Sequence, residues 1–363
     1  MAEFEQALPN NEKDTFTAKC ENCGANMVFN PETQDLYCSY CGSSKDFAKS
    51  KEVSELAIGE AFGVNEIWEE DNATYRCDNC GAVVVLPSNQ VATLCPYCGT
   101  SHVVKSADTC GLKPGAVYPF TFGQEKAVEF AKTWAKKRFF APSKFKKSLS
   151  CEKFQGVYEP AFTYDSQTYS TYSGVIGVRK TRTVGSGKNR RTYTYIDWRS
   201  ISGTYTYAFD DVFITASETN TQTTLSKILP FNYDTINVYD KTFLSGFMAH
   251  KTEKTVKDGW EEAKTEINSM LRRKILSQYH YDVVKYLNVD TVYNNVTYKY
   301  VLLPIYLMAF PYKQKSYSVW VNGNTGKVTG KTPISPWRVL LVTLLGLGVL
   351  ALLGWLIYTY YIS

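Results

Sequence analysis

CENCGANMVFNPETQDLYCSYCG, residues Cys20 to Gly42, returns as CDNCGAVVVLPSNQVATLCPYCG, residues Cys77 to Gly99. Both copies read C-x2-C-x14-C-x2-C, so Cys20, Cys23, Cys38 and Cys41 match Cys77, Cys80, Cys95 and Cys98 one for one. Four thiolates at about 2.3 Å complete a tetrahedral zinc site, and two C-x-x-C knuckles joined by a hairpin supply that geometry. A glycine follows the second cysteine of every knuckle, at Gly24, Gly42, Gly81 and Gly99, where the chain must turn tightly and bring backbone N–H groups near sulfur. The pattern predicts two zinc ribbons, residues 16–46 and 73–106, each closed around one structural Zn2+ ion. Paired disulfide loops are the alternative, and a reducing compartment disfavours them. A site filled by four thiolates has no open coordination position, so zinc catalysis is not expected. Of the ten cysteines, Cys110 and Cys151 lie outside the repeat and read as buried apolar residues.

At the other end of the chain, Val339 to Ser363 carries no charge and is apolar on every helical face. At about 1.5 Å per residue this run is long enough for a hydrocarbon core of about 30 Å. Trp337 stands at one end, and Trp355, Tyr358, Tyr360 and Tyr361 at the other, as in an interfacial aromatic belt. A single-pass anchor is predicted over 336–363. Lys327, Lys331 and Arg338 precede the apolar run from Val339 and no basic residue follows, so the positive-inside rule places the bulk of the chain on the cytoplasmic side of the cell membrane. Residues 1–15 hold no apolar run of signal-peptide length and read as a flexible N-terminus.

Between ribbons and anchor, the sequence predicts a helical linker over 47–72, with Val53, Leu56, Ala57, Ala61, Val64 and Trp68 near helical spacing. An α+β domain follows over 107–335. Gln124 to Arg138 and Thr255 to Leu276 have helical apolar faces. Strands are expected at Val157 to Tyr164, Tyr169 to Arg182, Arg191 to Trp198, Gly203 to Ala208 and Tyr298 to Pro311, with a hairpin from Tyr317 to Lys331. The matching patterns Val157-Tyr-Glu-Pro160-Ala-Phe162 and Leu302-Leu-Pro304-Ile-Tyr306 point to two related halves. Pro160 and Pro304 should mark edges or bulges. The fold class is therefore α+β: two N-terminal zinc ribbons, a β-rich domain and one C-terminal transmembrane helix.

Chemistry-bearing motifs are scarce. Gly185 to Asn189 and Gly326 to Thr332 imitate phosphate loops but lack the required spacing, so no NTPase or helicase motor is encoded. His250 and His280 have no serine or cysteine in a nucleophile motif. Asp210 and Asp211, as neighbours on a strand, should point to opposite faces. No enzyme is expected. Basic residues at Lys132 to Lys147 and at Arg179, Lys180, Arg182, Lys188, Arg190 and Arg191 suit nucleic-acid phosphates, anionic lipid or an acidic partner. The formal charge of +5 falls to about +1 once eight thiolates and two dications are counted, which argues against nucleic acid.

From KCENCG through YPF at Tyr118, YEPAFTYD, WRSISG, FDDVFITAS, FLSGF, YVLLPIY and VNGNTGKVTG to the terminal span, the chain resembles a bacterial family of YdjG-like zinc-ribbon membrane proteins. These are often labelled primosomal protein N′ or replication factor Y superfamily II helicase, a label the missing motor motifs contradict. The resemblance implies a tail-anchored membrane adaptor that uses ribbons and β-rich domain to recruit cytoplasmic partners of envelope-stress systems, such as SPFH-domain or phage-shock-type proteins. The alternative is a membrane-associated nucleic-acid-binding zinc-ribbon protein without helicase activity.

Overall fold

The computed structural model describes residues 19–59, 72–87, 95–97, 103–106, 112–149, 154–185, 190–218, 222–312 and 315–362. The first cysteine repeat, called the first ribbon from its spacing, folds as a small three-stranded sheet of β1 (Val28–Asn30), β2 (Asp35–Tyr37) and β3 (Ser44–Lys45). Then follow β4 (Leu56–Ala57) and the second ribbon's β5 (Asn72–Cys77), β6 (Val83–Pro87) and β7 (Val103–Ser106). The body runs through β8 (Ala116–Val117), α1 (Gln124–Lys136), α2 (Ser143–Lys147), β9 (Gln155–Val184), β10 (Arg191–Thr215) and α3 (Gln222–Ile228). It continues with β11 (Asn237–Val238), β12 (Met248–His250), α4 (Val256–Leu276), β13 (Val283–Tyr312), β14 (Lys315–Asn322) and β15 (Val328–Gly330), and leads to α5 (Pro336–Ile362).

One sheet in the order β11-β8-β13-β9-β12-β6-β5-β7 carries the body and the second ribbon together, with β10 beside β9, β14 and β15 beyond β13, and β4 on β13. Its centre has an internal two-fold logic. β9 and β13 run antiparallel, and Tyr158↔Pro304 and Pro160↔Leu302 flank the central pair Glu159↔Leu303. Met248 and Ala249 of β12 lie parallel beside Val157 and Tyr158, as Ala116 and Val117 of β8 lie parallel beside Val301 and Leu302. Thr215 pairs with Ala161, and Asn322 with Ile305. Two β–α–β–β units, β8–α1–β9–β10 and β12–α4–β13–β14, thus each lend a first strand to the other's long strand. The two related halves read from the repeated proline pattern are present in topology and register.

The prolines are not at the sheet's outer edges. Each sits inside its sheet where one neighbour ends and the next begins: Pro160 between β12 and β10, Pro304 between β8 and β14. There the ladder asks for no proline N–H, while both carbonyls are used, accepting from Ala216 N–H (3.0 Å) and Gly323 N–H (2.8 Å).

Both long helices form where their apolar periodicity places them. Thr255 caps α4 through a reciprocal box with Asp258, and Val256, Gly259, Ala263, Ile267, Leu271 and Ile275 are its buried stripe. Gly259 is needed because a Cβ there would meet the Tyr164 hydroxyl at 2.4 Å. An aromatic knot fills the core: Phe120 stacks on Phe247 at 4.3 Å and touches Tyr158 and Tyr306.

Several expectations need correction. Described residues 51–59 hold no helix; Leu56 and Ala57 form β4, drawn into the sheet by pairing with Tyr298 and Thr297. The rest of the expected linker helix lies outside the described residues. The separate strands expected over 157–182 are one, β9, and those over 191–208 are likewise one, β10. Val283 to Thr297, not expected as strand, extends β13 along β9. The result is a three-stranded arm of β10, β9 and β13, with Tyr172, Ile176, Ile201 and Leu287 packed on Ile275 of α4.

Candidate metal centres and their surroundings

The sulfurs of Cys20, Cys23, Cys38 and Cys41 all lie within 4.8 Å of one another, with Cys20–Cys41 at 3.4 Å and Cys23–Cys38 at 3.5 Å. A tetrahedron with metal–sulfur bonds of about 2.3 Å has edges near 3.7 Å, so the four fit one metal ion. Cys77, Cys80 and Cys95 form a second group, with Cys80–Cys95 at 3.6 Å. Cys98, their expected fourth partner, lies outside the described residues, as do Cys110 and Cys151.

The backbone explains the convergence. Gly24, Gly42 and Gly81 have φ of +73°, +75° and +78°, a left-handed turn that side chains disfavour. Each glycine's N–H bonds back to the first cysteine's carbonyl, at 2.8 Å in Gly24→Cys20, 3.0 Å in Gly42→Cys38 and 2.9 Å in Gly81→Cys77. Sequence spacing alone had predicted these turns. It had not singled out Ser43, whose hydroxyl lies 3.0 Å from both Cys20 and Cys41 and lowers both thiols, Cys20 to about 6. Against the Ala25 N–H, the neighbouring Cys38, Cys41 and Cys20 push Cys23 the other way, up to about 12. The bias toward thiolate that suits metal ligation therefore lies at Cys20 and Cys41.

The two ribbons meet the body differently. In the first, Phe29 donates its N–H to Ser245 O (2.9 Å) and lodges its ring against Phe243, Phe47 and Phe247. Gln34 Nε2 donates to Phe120 O at 2.7 Å. The knuckle itself faces outward: Cys23 and Cys41 are exposed, and Tyr40 between Cys38 and Cys41 is 84% exposed. In the second, β6 pairs with β12 at Val85↔Ala249 and Val84↔His250. Tyr97, the counterpart of Tyr40, turns inward. Its hydroxyl donates to Glu159 Oε1 (2.7 Å), and its ring lies 4.9 Å from that of His250. His250 Nδ1 is 3.2 Å from Glu159 Oε2; burial opposes a charge on the imidazole, but the carboxylate outweighs it and raises the pKa.

A third cluster corrects a sequence expectation. Asp210 and Asp211 do not diverge: a bulge between Phe209 and Val212, with Asp211 at φ +49°, brings both within 4.8 Å of Asp165. Lys299 lies 2.9 Å from Asp211 and 2.8 Å from Glu55, one ammonium shared among these carboxylates. Burial raises Asp165 to about 7 despite the N–H that Asp211 donates to it. Asp211, Asp165 and Glu55 thus share Lys299 in one ion-pair network.

The basic hairpin does not make one strip. Lys180 and Arg182, opposite Tyr195 and Tyr193, share the α4 side of the arm, while Arg179 faces the other way. Lys180 is held by Asp197 at 2.6 Å; Lys188 lies outside the described residues. At the end of the chain, Pro336–Tyr360 is helical, unburied and of mean hydropathy 2.6, long and apolar enough to cross a membrane.

These features define a mixed α+β protein with two cysteine clusters able to hold metal and a terminal apolar helix. The chain is similar to the uncharacterized protein YdjG of Bacillus subtilis (strain 168), with 28% identity over 330 residues that cover 88% of this chain and 91% of that one. No family model matches. No solved structure matches.

Proposed function

We propose that this protein is a tail-anchored membrane adaptor. Two structural zinc ions staple its ribbons, with Cys98 completing the second site; α5 spans the bilayer; and the preceding chain lies in the cytoplasm, where it recruits a protein partner to the membrane. The observation that supports this best is the seating of the first ribbon. Its hairpin is wedged into the aromatic core by Phe29, yet it turns the Cys38–Cys41 knuckle and Tyr40 to solvent. A large aromatic residue on a rigid, metal-stapled turn is the kind of anchor that dominates protein interfaces. A metal held by four thiolates has no open coordination position for a substrate, and the acidic group is engaged by Lys299. By resemblance, the partner is an SPFH-domain or phage-shock-type coat protein.

The test is affinity purification from gently solubilised membranes, comparing the natural chain with Tyr40→Ala. The variant should keep two zinc ions and stay inserted while losing its specific partner by roughly tenfold or more. An unchanged partner set would overturn ribbon docking. Steeply salt-dependent binding of DNA or RNA, abolished by Arg190→Glu with Arg191→Glu, would carry the nucleic-acid alternative instead.

A further inference from the structure

The terminal helix is not joined to the body by a loose tether. Ser335 N–H donates to Phe140 O at 2.8 Å, just before α5 begins. Arg338, in its first turn, donates through Nη1 to the carbonyls of Phe139 and Ala141, both at 2.7 Å, and through Nη2 to Ser143 Oγ at 2.8 Å. Four hydrogen bonds thus pin the loop between α1 and α2 to the level where the apolar run starts.

That loop has an unusual surface. Phe139 and Phe140 are 57% and 42% exposed, although buried aromatics of the core lie close by, with Phe145 packed on Phe310. Trp337 and Ile334, which flank the clamp from the α5 side, are 72% and 63% exposed. Around the two phenylalanines stand Lys136, Lys137, Arg138, Lys144 and Lys147, all exposed, and no acidic residue occurs from Lys132 to Cys151. Exposed aromatics ringed by cations, at the mouth of a membrane-length helix, match the chemistry of an anionic bilayer interface.

We propose that the α1–α2 loop is a second membrane contact: Phe139 and Phe140 enter the interfacial layer beside Trp337, and the surrounding lysines meet anionic lipid headgroups. This rests on α5 spanning the bilayer. The occupant is lipid because the clamp leaves the aromatics within one helical turn of the span, where a protein partner would have to wedge between body and membrane. The consequence is orientation. The body is held against the bilayer in one pose, so its first ribbon stands at a fixed place relative to the surface.

The test uses the full chain reconstituted into phosphatidylcholine vesicles with or without phosphatidylglycerol, carrying a benzophenone amino acid at position 139, 350 or 40. Labels at 139 and 350 should form lipid adducts and the label at 40 none. The yield at 139 should fall several-fold when phosphatidylglycerol is omitted or when Lys137→Glu, Lys144→Glu and Lys147→Glu are combined, as about fivefold per surface lysine allows. A lipid adduct at 350 with none at 139 would overturn the second contact and leave the span intact. No adduct at 350 would instead refute the span. A yield at 139 indifferent to both lipid charge and lysine reversal would overturn the headgroup contact.

Discussion

The two ribbons carry the same cysteine spacing and are built into the molecule in opposite senses. The first is a separate three-stranded sheet seated on the body by the ring and N–H of Phe29 and by Gln34, with its tyrosine knuckle outside. The second is continuous with the main sheet through β6 and β12, and its tyrosine reaches Glu159 at the two-fold centre of the body. A duplicated motif is thus seated in two ways: one copy extends the main sheet, and the other leaves its knuckle tyrosine in solvent.

The comparison breaks most readily at the metal. Cys77→Ser should remove about one zinc ion and destabilise β5 and β6, and through β12 the disturbance reaches β9. Structural metal binding is worth about 10–16 kcal/mol in small zinc modules, and even a fraction of that lowers the melting temperature by about 10 °C or more at about 2–4 °C per kcal/mol. Cys20→Ser should also remove about one ion, yet leave the body's melting within a few degrees and cost hydrogen-exchange protection only in 19–45. Calorimetry with metal analysis decides; equal losses of stability would mean that the first ribbon is as integral as the second.

What could be read from residues alone follows the same division. Local spacing carried the knuckles, the two long helices and the apolar end, because each is set by residues near in sequence. The pairing of β6 with β12 joins residues such as Val85 and Ala249, and no local pattern announces it. Read from sequence, β9 breaks over Asp165 to Thr168, a polar run that resembles a turn, whereas β10 and β13 on its two sides keep it extended. Farther along it, Gly177 looks like a strand breaker but is covered by Ile196 and Trp198 from β10; a Cβ there would come within 2.4 Å of Ile196. The Asp211 bulge has no local signal because its partners are distant in sequence: its N–H donates to Asp165 and its carboxylate meets Lys299.

A smaller perturbation sharpens the contrast from the side of the first ribbon. Phe29 is 3% exposed and is the main apolar bolt between that ribbon and the body. Phe29→Ala should cost about 3–5 kcal/mol of local docking, as large aromatic truncations do. Because the cysteines and their glycine turns are untouched, both zinc ions should remain. Proteolysis should then release a metal-bound N-terminal fragment while the body resists. Loss of zinc from the variant would show that docking and metal binding are one cooperative event, and the picture of a bolted module would fail.

The finest probe is the pair of matched tyrosines. Tyr97→Phe removes one hydroxyl, the donor at 2.7 Å to Glu159, a residue 5% exposed. The carboxylate keeps His250 at 3.2 Å but loses a partner away from water, which costs about 1–3 kcal/mol and lowers the melting temperature by several degrees. Tyr40→Phe removes the same atom from an 84% exposed ring, where solvent substitutes for it, so stability should change by less than about 0.5 kcal/mol. Paired thermal melts at fixed pH read the difference directly. Equal shifts would place Tyr40 in a contact within the folded chain, and the outward knuckle would then lose its claim to be the docking face.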